Sequence, residues 1–188
     1  MRQTRIALIS NKLRIIQSVI RRIRYKLLGI TIGKDGSIGK LEFDWGRGIS
    51  IGNNCIIENG VDFKFDFPFS DANYIGIGNG SFIGRSTEFH TSTKILIGQN
   101  CLIASQCIFA GVGHEYSPHE LIVKQPAIVE DIILEDDVWI GTGSIVLHGV
   151  TIGKGSIIGA GSVVTKSIPS NQIWAGSPAR LIKDRKAY

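Results

Sequence analysis

The sequence predicts an all-β solenoid, a triangular stack of short parallel strands, with one helix before it and a short helix after it. Two observations support the stack. Large apolar residues recur every six positions through most of the chain, and glycine directly follows many of them. The 23 glycines among 188 residues also exceed the usual share of about 7%, as expected where many tight corners are needed. The length fits a single domain with a sizeable core.

Residues 1–28 predict a basic amphipathic helix. They contain eight basic residues and no acid, whereas the rest of the chain has 13 basic and 16 acidic residues. An apolar seam follows alternating steps of three and four, the spacing of one helical face. The seam consists of Ile6, Ile9, Leu13, Ile16, Ile20, Ile23 and Leu27.

Two partners fit this seam, and the sequence leaves both open. The first is a protein surface, either the solenoid or the same helix of another subunit. The second is an anionic lipid surface, which the basic residues would attract. The basic residues also interrupt every apolar run that a signal peptide would need. We therefore expect a cytoplasmic protein with reduced cysteines, peripheral at the inner face of the cell membrane if the lipid partner holds.

Residues 29–170 carry the repeat. Each six-residue unit supplies one strand and one corner, and three units make a coil whose strands stack on the next coil about 4.8 Å away. The fourth position after the anchor is compact in 16 of 18 units, so the anchor and this residue fill a narrow interior. The 18 anchors are Ile32, Ile38, Ile51, Ile57, Phe63, Ile77, Ile83, Phe89, Ile97, Ile103, Phe109, Ile128, Leu134, Ile140, Val146, Ile152, Ile158 and Val164.

Two stretches break the repeat and predict loops, at residues 64–76 and 113–127. The second loop contains His114 and His119, and loops on a rigid scaffold often carry function. Residues 171–188 predict a C-terminal loop and then a short helix over 178–186, because Pro178 suits the first turn of a helix.

Four segments stand out: Val138-Trp139-Ile140-Gly141, Gly149-Val150-Thr151-Ile152-Gly153, Gly159 to Lys166 and Ala175 to Arg180. They resemble the hexapeptide-repeat acyltransferases, and within them the sugar O-acetyltransferases of the maltose, galactoside and polysaccharide type. The resemblance covers roughly residues 30–183. It implies a left-handed parallel β-helix, a homotrimer, acetyl-CoA as donor and active sites between subunits. We expect no metal cofactor and no nucleic-acid partner.

His114 is the predicted catalytic base. It matches the position of the catalytic histidine in similar enzymes, just after a coil that ends in a glycine-containing turn. An imidazole suits the removal of a hydroxyl proton near neutral pH. The resemblance also implies a set of donor-binding residues, of which the last two match basic positions near the nucleotide phosphates. This set is Thr142, Ala160, Thr165, Lys166, Arg180 and Lys183.

A second set is expected to contact the acceptor. Arg85 stands where some sugar acetyltransferases carry an asparagine, so backbone N–H groups are expected to stabilise the oxyanion instead. Trp139 fits either an aromatic wall of the site or a trimer interface. The three cysteines occupy the compact core slot, which makes them structural. The acceptor set is Arg85, His90, Glu115, His119 and Trp139.

The leading hypothesis is direct acetyl transfer from acetyl-CoA to a sugar hydroxyl of a surface-polysaccharide precursor. N-acetylation of an amino sugar is the nearest alternative. A metal-dependent hydratase resembling the γ-class carbonic anhydrases is a rival, since His114 and His119 have the five-residue spacing of two zinc ligands there and His90 would be the third. A scaffold without a reaction is the last alternative.

Overall fold

Three parallel β-sheets form the faces of a triangular prism, which confirms the predicted solenoid. The computed structural model describes the backbone of residues 2–186 and the side chains of residues 13 and 15–186. One helix, α1 (Arg2–Leu27), precedes the prism. Each coil contributes one strand to each face, and the paired residues of neighbouring coils are 16–20 positions apart except across the two loops.

The first face holds six strands, in the order β1 (Thr31–Ile32), β4 (Ile49–Ile51), β7 (Tyr74–Ile77), β10 (Lys94–Ile97), β15 (Ile132–Leu134) and β18 (Thr151–Ile152). The second face holds eight, in the order β2 (Ser37–Ile38), β5 (Ile56–Ile57), β8 (Phe82–Ile83), β11 (Leu102–Ile103), β16 (Trp139–Ile140), β19 (Ile157–Ile158), β21 (Gln172–Ala175) and β22 (Arg180–Asp184). The third face holds six, namely β3 (Leu41–Phe43), β6 (Val61–Phe65), β9 (Glu88–Thr91), β12 (Ile108–Ala110), β17 (Ile145–Leu147) and β20 (Val163–Val164). A separate hairpin pairs β13 (Val112–His114) with β14 (Ala127–Val129).

The anchors form the core, because 17 of the 18 are buried. On the third face, the rings of Phe63, Phe89 and Phe109 stack with centroid distances of 5.2 and 4.8 Å. Ile128 is the exception: it lies half-buried in the hairpin. The hairpin takes this residue out of the prism although it keeps the six-residue spacing to Leu134.

The corners explain the asparagines and aspartates of the repeat. Asn54, Asn100 and Asp137 adopt left-handed φ angles of 55–58° at corners between the first and second faces. The residues beside them link neighbouring coils by hydrogen bonds. The Asn53 backbone N–H, for example, donates to Oδ1 of Asn79 in the next coil at 2.7 Å. Short polar side chains therefore supply both the turn and a link to the next coil.

Helix α1 caps the open end of the first coil. The Ile38 N–H donates to Oγ of Ser18 at 2.8 Å, and the Leu41 N–H donates to Oη of Tyr25 at 2.9 Å. Both Ser18 and Tyr25 are buried. These bonds satisfy donors that a first coil would otherwise expose at the edge of a sheet.

The predicted apolar seam does not make this contact. Packing of the seam against the solenoid is wrong for its five described members, all of which are exposed: Leu13, Ile16, Ile20, Ile23 and Leu27. Ile6 and Ile9 lie outside the residues whose side chains the structure describes. The polar residue Ser18 and the amphipathic Tyr25 face the solenoid instead, because the first coil presents unpaired backbone donors there.

The predicted C-terminal helix over 178–186 is wrong. Residues 180–184 form β22, which pairs antiparallel with β21. A helix of nine residues is marginal by itself, whereas the strand satisfies the open backbone groups of β21. Ala179 is buried, and its N–H donates to the Val163 carbonyl at 2.8 Å. Residues 179–184 thus belong to the prism.

The two interruptions also differ from their predicted bounds, since the first is narrower and the second is wider. The first loop runs from Asp66 to Asn73, since β6 continues to Phe65 and β7 begins at Tyr74. The second is the β13–β14 hairpin with its connecting segment, which contains a 3₁₀ turn over Ile122–Lys124. Both leave the prism at the corner between the third and first faces, called here the third corner.

Candidate active site

His114 stands on the hairpin that leaves the third corner. The chain exits after β12, and His114 pairs with Ala127 across the antiparallel strands. Its side chain is exposed, and within the part of the chain that the structure describes the imidazole forms no hydrogen bond. The neighbouring Glu115, also exposed, is held through its backbone N–H, which donates to the Pro126 carbonyl at 3.1 Å. The hairpin thus presents a free imidazole on a fixed strand.

A buried glutamine braces the tip of this hairpin. Oε1 of Gln125 accepts from the Ser117 N–H at 2.7 Å. Its Nε2 donates to the carbonyls of Ser117 and Glu120 at 3.0 and 2.8 Å. The brace orders the segment around His119, whose side chain is exposed. It also leaves four apolar residues in solvent: Tyr116, Leu121, Ile122 and Val123.

A histidine that the sequence did not single out supports the base of the hairpin. Nδ1 of His148 lies 2.9 Å from Oε2 of Glu130. A Cβ built on Gly113, the residue before His114, would lie only 2.6 Å from Nε2 of His148. The imidazole therefore packs directly on the strand that carries His114. The interval of 18 residues between Glu130 and His148, one full coil, is the signal that could have revealed this pair.

The corner between the second and third faces, called here the second corner, gathers half of the predicted donor set. Thr142 and Ala160 stack there, and the Gly161 N–H donates to the Thr142 carbonyl at 2.8 Å. Both side chains are exposed and small. Thr142 and Ala160 thus form a column of small side chains along the corner. Arg180 pairs with Ala175 at the end of this column, so its exposed guanidinium lies beside the last coil. A linear ligand can follow this column towards a cation.

The other predicted donor residues lie elsewhere in the chain. Thr165 and Lys166 follow β20 at the third corner, the corner of the His114 hairpin. Nζ of Lys166 lies 5.3 Å from the centre of the Trp174 ring, a cation–π distance. Lys183 pairs with Ile173 and is exposed. One chain therefore places three donor residues at the second corner, two at the third corner and Lys183 on the second face, and these two corners lie at opposite ends of the third-face strands.

Arg85 lies on the second corner near the start of the prism. It lines a polar cleft of about 700 Å³ together with Gln17 and Arg21 of α1. The Arg85 backbone N–H donates to Oε2 of Glu58 at 2.9 Å, and its Nε lies 3.7 Å from the same oxygen. The guanidinium is largely exposed. This cleft combines cations, a carboxylate and amides, which suits a polar ligand with hydroxyl or phosphate groups.

His90 is paired with an aspartate of the first loop. It lies on β9 with Nε2 2.5 Å from Oδ1 of Asp66, whose second oxygen accepts from Ser92 at 3.4 Å. Among the residues with described side chains, no group of three histidines, cysteines, aspartates or glutamates is placed to hold a metal ion. His90, His114 and His119 therefore do not converge within one chain as a zinc site.

Trp139 belongs to an outward ladder on the second face. Its register partners are Leu102 on one side and Ile157 on the other. Every member of the ladder is apolar and reaches solvent, and the strands hold them in register: Ile56, Phe82, Leu102, Trp139, Ile157 and Ile173. A continuous apolar stripe of this kind is typical of a protein interface.

The three cysteines are buried core residues, as predicted. Burial raises the pKa of the Cys55 and Cys107 thiols, and it raises the pKa of Cys101 to about 11. The sulfhydryl of Cys107 donates to the Gly141 carbonyl at 3.3 Å. These thiols stay protonated at neutral pH and are shielded from an acyl donor, so they do not supply a nucleophile.

The fold and its corners define a hexapeptide-repeat solenoid with a histidine-bearing hairpin. Residues 131–166 match the family described as bacterial transferase hexapeptide (six repeats). Residues 29–61 match the hexapeptide repeat of succinyl-transferase. Both matches are to hexapeptide repeats of transferases, and they cover two separate parts of the solenoid.

Similar proteins act on sugars. The galactoside O-acetyltransferase of Escherichia coli is 34% identical over 135 residues, 72% of this chain and 63% of that protein. The Lactococcus lactis enzyme of the same name is also 34% identical, over 70% of this chain and 60% of its own length. This chain thus spans about three fifths of the length of these two relatives.

Solved structures of similar proteins contain coenzyme A. A variant of AntD, an N-acyltransferase from Bacillus cereus, was solved with dTDP-4-amino-4,6-dideoxyglucose and coenzyme A. It superposes with a TM-score of 0.76 at 26% identity, covering 88% of this chain and 89% of that one. The hexapeptide-repeat acetyltransferase VCA0836 of Vibrio cholerae, solved with acetyl coenzyme A, gives a TM-score of 0.61 at 26% identity over 90% of this chain and 78% of its own.

Proposed function

We propose that this protein transfers the acetyl group of acetyl-CoA to a hydroxyl of a carbohydrate, a precursor of a surface polysaccharide. The exposed imidazole of His114, on a braced hairpin above a family-typical solenoid, is the observation that carries the proposal. The similarity to two galactoside O-acetyltransferases supports a sugar hydroxyl. WcaF of Escherichia coli, assigned provisionally to colanic acid biosynthesis as an acetyltransferase, is 29% identical over 73% of this chain and supports the polysaccharide.

In this mechanism His114 acts as the general base. Its neutral imidazole takes the proton of the acceptor hydroxyl while the oxygen attacks the thioester carbonyl. Backbone N–H groups stabilise the oxyanion of the tetrahedral intermediate. The intermediate collapses, the C–S bond breaks and the imidazolium returns its proton to the leaving thiolate. The acetyl group passes directly to the acceptor, since the cysteines are buried.

The second corner supplies the donor site. Thr142 and Ala160 leave a shallow column in which the amides of pantetheine would bind exposed backbone groups. Arg180, at the end of the column, is placed to bind a phosphate of the nucleotide. Thr165 and Lys166 would contact the donor only if a second chain brought its third corner alongside, and Lys183 would have to reach the donor from the second face.

We propose a homotrimer for this reason. His114 and the second corner lie at opposite ends of the third-face strands, so one chain does not place its base beside its own donor column. The apolar ladder that contains Trp139 would be covered by a neighbouring chain, as would the exposed tip of the hairpin. Each active site would then combine His114 of one chain with Thr142, Ala160 and Arg180 of another.

The acceptor residues are proposed around the same junction. Arg85 offers a largely exposed guanidinium in the polar cleft, while Glu115 and His119 flank the base on the hairpin. His90 is engaged by Asp66 and would orient that loop more than bind sugar directly. N-acetylation of an amino sugar is the second candidate, favoured by the amino-sugar nucleotide in the similar AntD structure.

A thiol-release assay with acetyl-CoA tests the function. The acceptors are free sugars, nucleotide sugars and lipid-linked glycans, each with hydroxyl and amino forms. We expect release with a hydroxyl acceptor, and His114→Ala to lower kcat by roughly 10²–10⁴-fold with coenzyme A affinity retained. His119→Ala is the matched control from the same hairpin, expected to raise KM more than it lowers kcat. Near-native kcat in His114→Ala would remove this residue from the mechanism.

A further inference from the structure

Helix α1 presents a long apolar stripe to solvent. Leu13, Ile16, Ile20, Ile23 and Leu27 are each more than half exposed, and Leu27 reaches 83%. Val19, on the same side of the helix, is 52% exposed. The residues are spaced three and four apart, so they form one continuous face about 20 Å long. A soluble chain rarely leaves so many large aliphatic side chains together in water without a partner.

The stripe has no role in holding α1 to the prism. The opposite side of the helix makes those contacts, through Ser18 and Tyr25. The Arg22 guanidinium, on that side, donates to the carbonyls of Asp35 and Gly36. The helix is thus fixed in place while its apolar face stays free, which makes the stripe a rigid docking surface.

Charge indicates what covers this surface. Residues 1–28 contain eight basic residues and no acid. Among those with described side chains, Arg24 and Lys26 are exposed, and at about 100° per residue they fall on the two borders of the stripe. A second α1 packed on the stripe would bring these cations against cations, because the segment offers no carboxylate to pair with them. A surface with an apolar interior and an outer layer of negative charge would contact both the stripe and its flanking cations.

We propose that the stripe docks α1 onto an anionic lipid bilayer, with the helix lying in the plane of the interface. The aliphatic side chains would enter the headgroup–acyl boundary, and the flanking cations would contact lipid phosphates. None of the helical segments described is long and apolar enough to cross a membrane, so the attachment is peripheral.

The docking also concerns the proposed acceptor. Gln17 and Arg21 line the cleft beside Arg85 and lie on the flank of α1 between the stripe and the prism. A glycan carried on a membrane lipid would therefore meet the cleft next to the bilayer surface. This consequence rests on the proposed function, whereas the docking itself does not.

Vesicle sedimentation of the full chain tests the docking without any assay of activity. Deletion of α1 is unsuitable, because the helix satisfies backbone donors of the first coil. The test variant is Ile20→Gln with Ile23→Gln, which keeps the helix and all of its charges. The matched control is Leu181→Gln with Ile182→Gln, a pair of comparable exposure on β22. A third variant, Arg24→Gln with Lys26→Gln, removes two cations.

We expect the parent protein and the β22 control to sediment with phosphatidylglycerol-containing vesicles at low salt and to remain in solution with pure phosphatidylcholine. The Ile20/Ile23 variant should bind at least about tenfold more weakly. Each removed cation should weaken binding by about fivefold and flatten the salt response.

Three results would overturn the docking: no binding of the parent to anionic vesicles, equal binding of parent and Ile20/Ile23 variant, or equal weakening in the β22 control. Light scattering of the same proteins identifies the competing occupant. If the Ile20/Ile23 variant changes the oligomeric state while the parent ignores vesicles, the stripe is an interface between chains.

Discussion

Alanine at position 113 tests whether the His148 support positions the catalytic base. The added Cβ would lie 2.6 Å from Nε2 of His148, whereas ordinary contacts begin at 3.4 Å. One partner must therefore move by about 0.8 Å. His148 is held by Glu130 at 2.9 Å, so β13 is expected to shift and to carry His114 with it.

A displacement of this size is costly in a reaction that depends on geometry. Misplacement of a catalytic group by about 1 Å can lower a rate by roughly 10²-fold. We expect Gly113→Ala to lower kcat in the thiol-release assay by about 10- to 100-fold, with KM for acetyl-CoA and the melting temperature little changed. The second substitution His148→Ala opens the space that the new methyl group needs.

The double variant is the control that separates displacement from other effects. The kcat of the double variant, Gly113→Ala with His148→Ala, should lie well above that of Gly113→Ala alone. It should approach the kcat of the single His148→Ala variant, because the added methyl group then has room. Full kcat in Gly113→Ala would show that the hairpin tolerates the shift. A double variant no faster than Gly113→Ala would show that the contact with His148 is not the cause.

Three further predictions concern the contact of α1 with the first coil, the acidic side chains around Asp62 and the donor site. Tyr25→Phe leaves the Leu41 N–H without its acceptor and should lower the free energy of unfolding by about 1–2 kcal/mol in urea titration; an unchanged midpoint would contradict the cap. Burial, then Glu42, Asp44 and Glu88, raise the pKa of Asp62, so its ionised form destabilises the fold as the pH rises. Asp62→Asn should therefore add about 0.5 kcal/mol at neutral pH and nothing below pH 3, and an equal gain at both pH values would refute this cause. Arg180→Ala should raise KM for acetyl-CoA more than it lowers kcat, and it should lose discrimination against a donor without the 3′-phosphate.

The prism could be predicted from sequence because its rule is local and repeated. Each anchor, such as Ile103, has the same surroundings one coil away, so one pattern determines the burial of many side chains. Ile128 shows the limit, since it keeps the spacing but enters a hairpin whose pairing is antiparallel. The C-terminal strand shows another limit. Its conformation is decided by the open edge of β21, a tertiary effect that outweighs the local helix preference around Pro178.

Only part of the candidate site could be predicted from the sequence, because only part of it follows the repeat. The motif residues Thr142 and Ala160 could be placed on one corner, because corners repeat with the coils. The supports of the hairpin depend on contacts that no motif describes, such as the Glu130–His148 pair and the buried Gln125. The seam of α1 had a clear helical period, but the period does not say which side meets the solenoid. The orientation of α1 is set by backbone donors of the first coil, one of which, the Leu41 N–H, donates to Tyr25.

Complementation between two inactive variants tests most directly whether one active site is built from two chains. His114→Ala removes the base, and Ala160→Trp fills the donor column at the second corner. When differently tagged copies are co-expressed and mixed trimers are purified, a shared site should restore about one third of the native activity, because one of the three interfaces in each mixed trimer pairs an intact His114 with an intact corner. Mixed oligomers that remain inactive would contradict a site shared between chains.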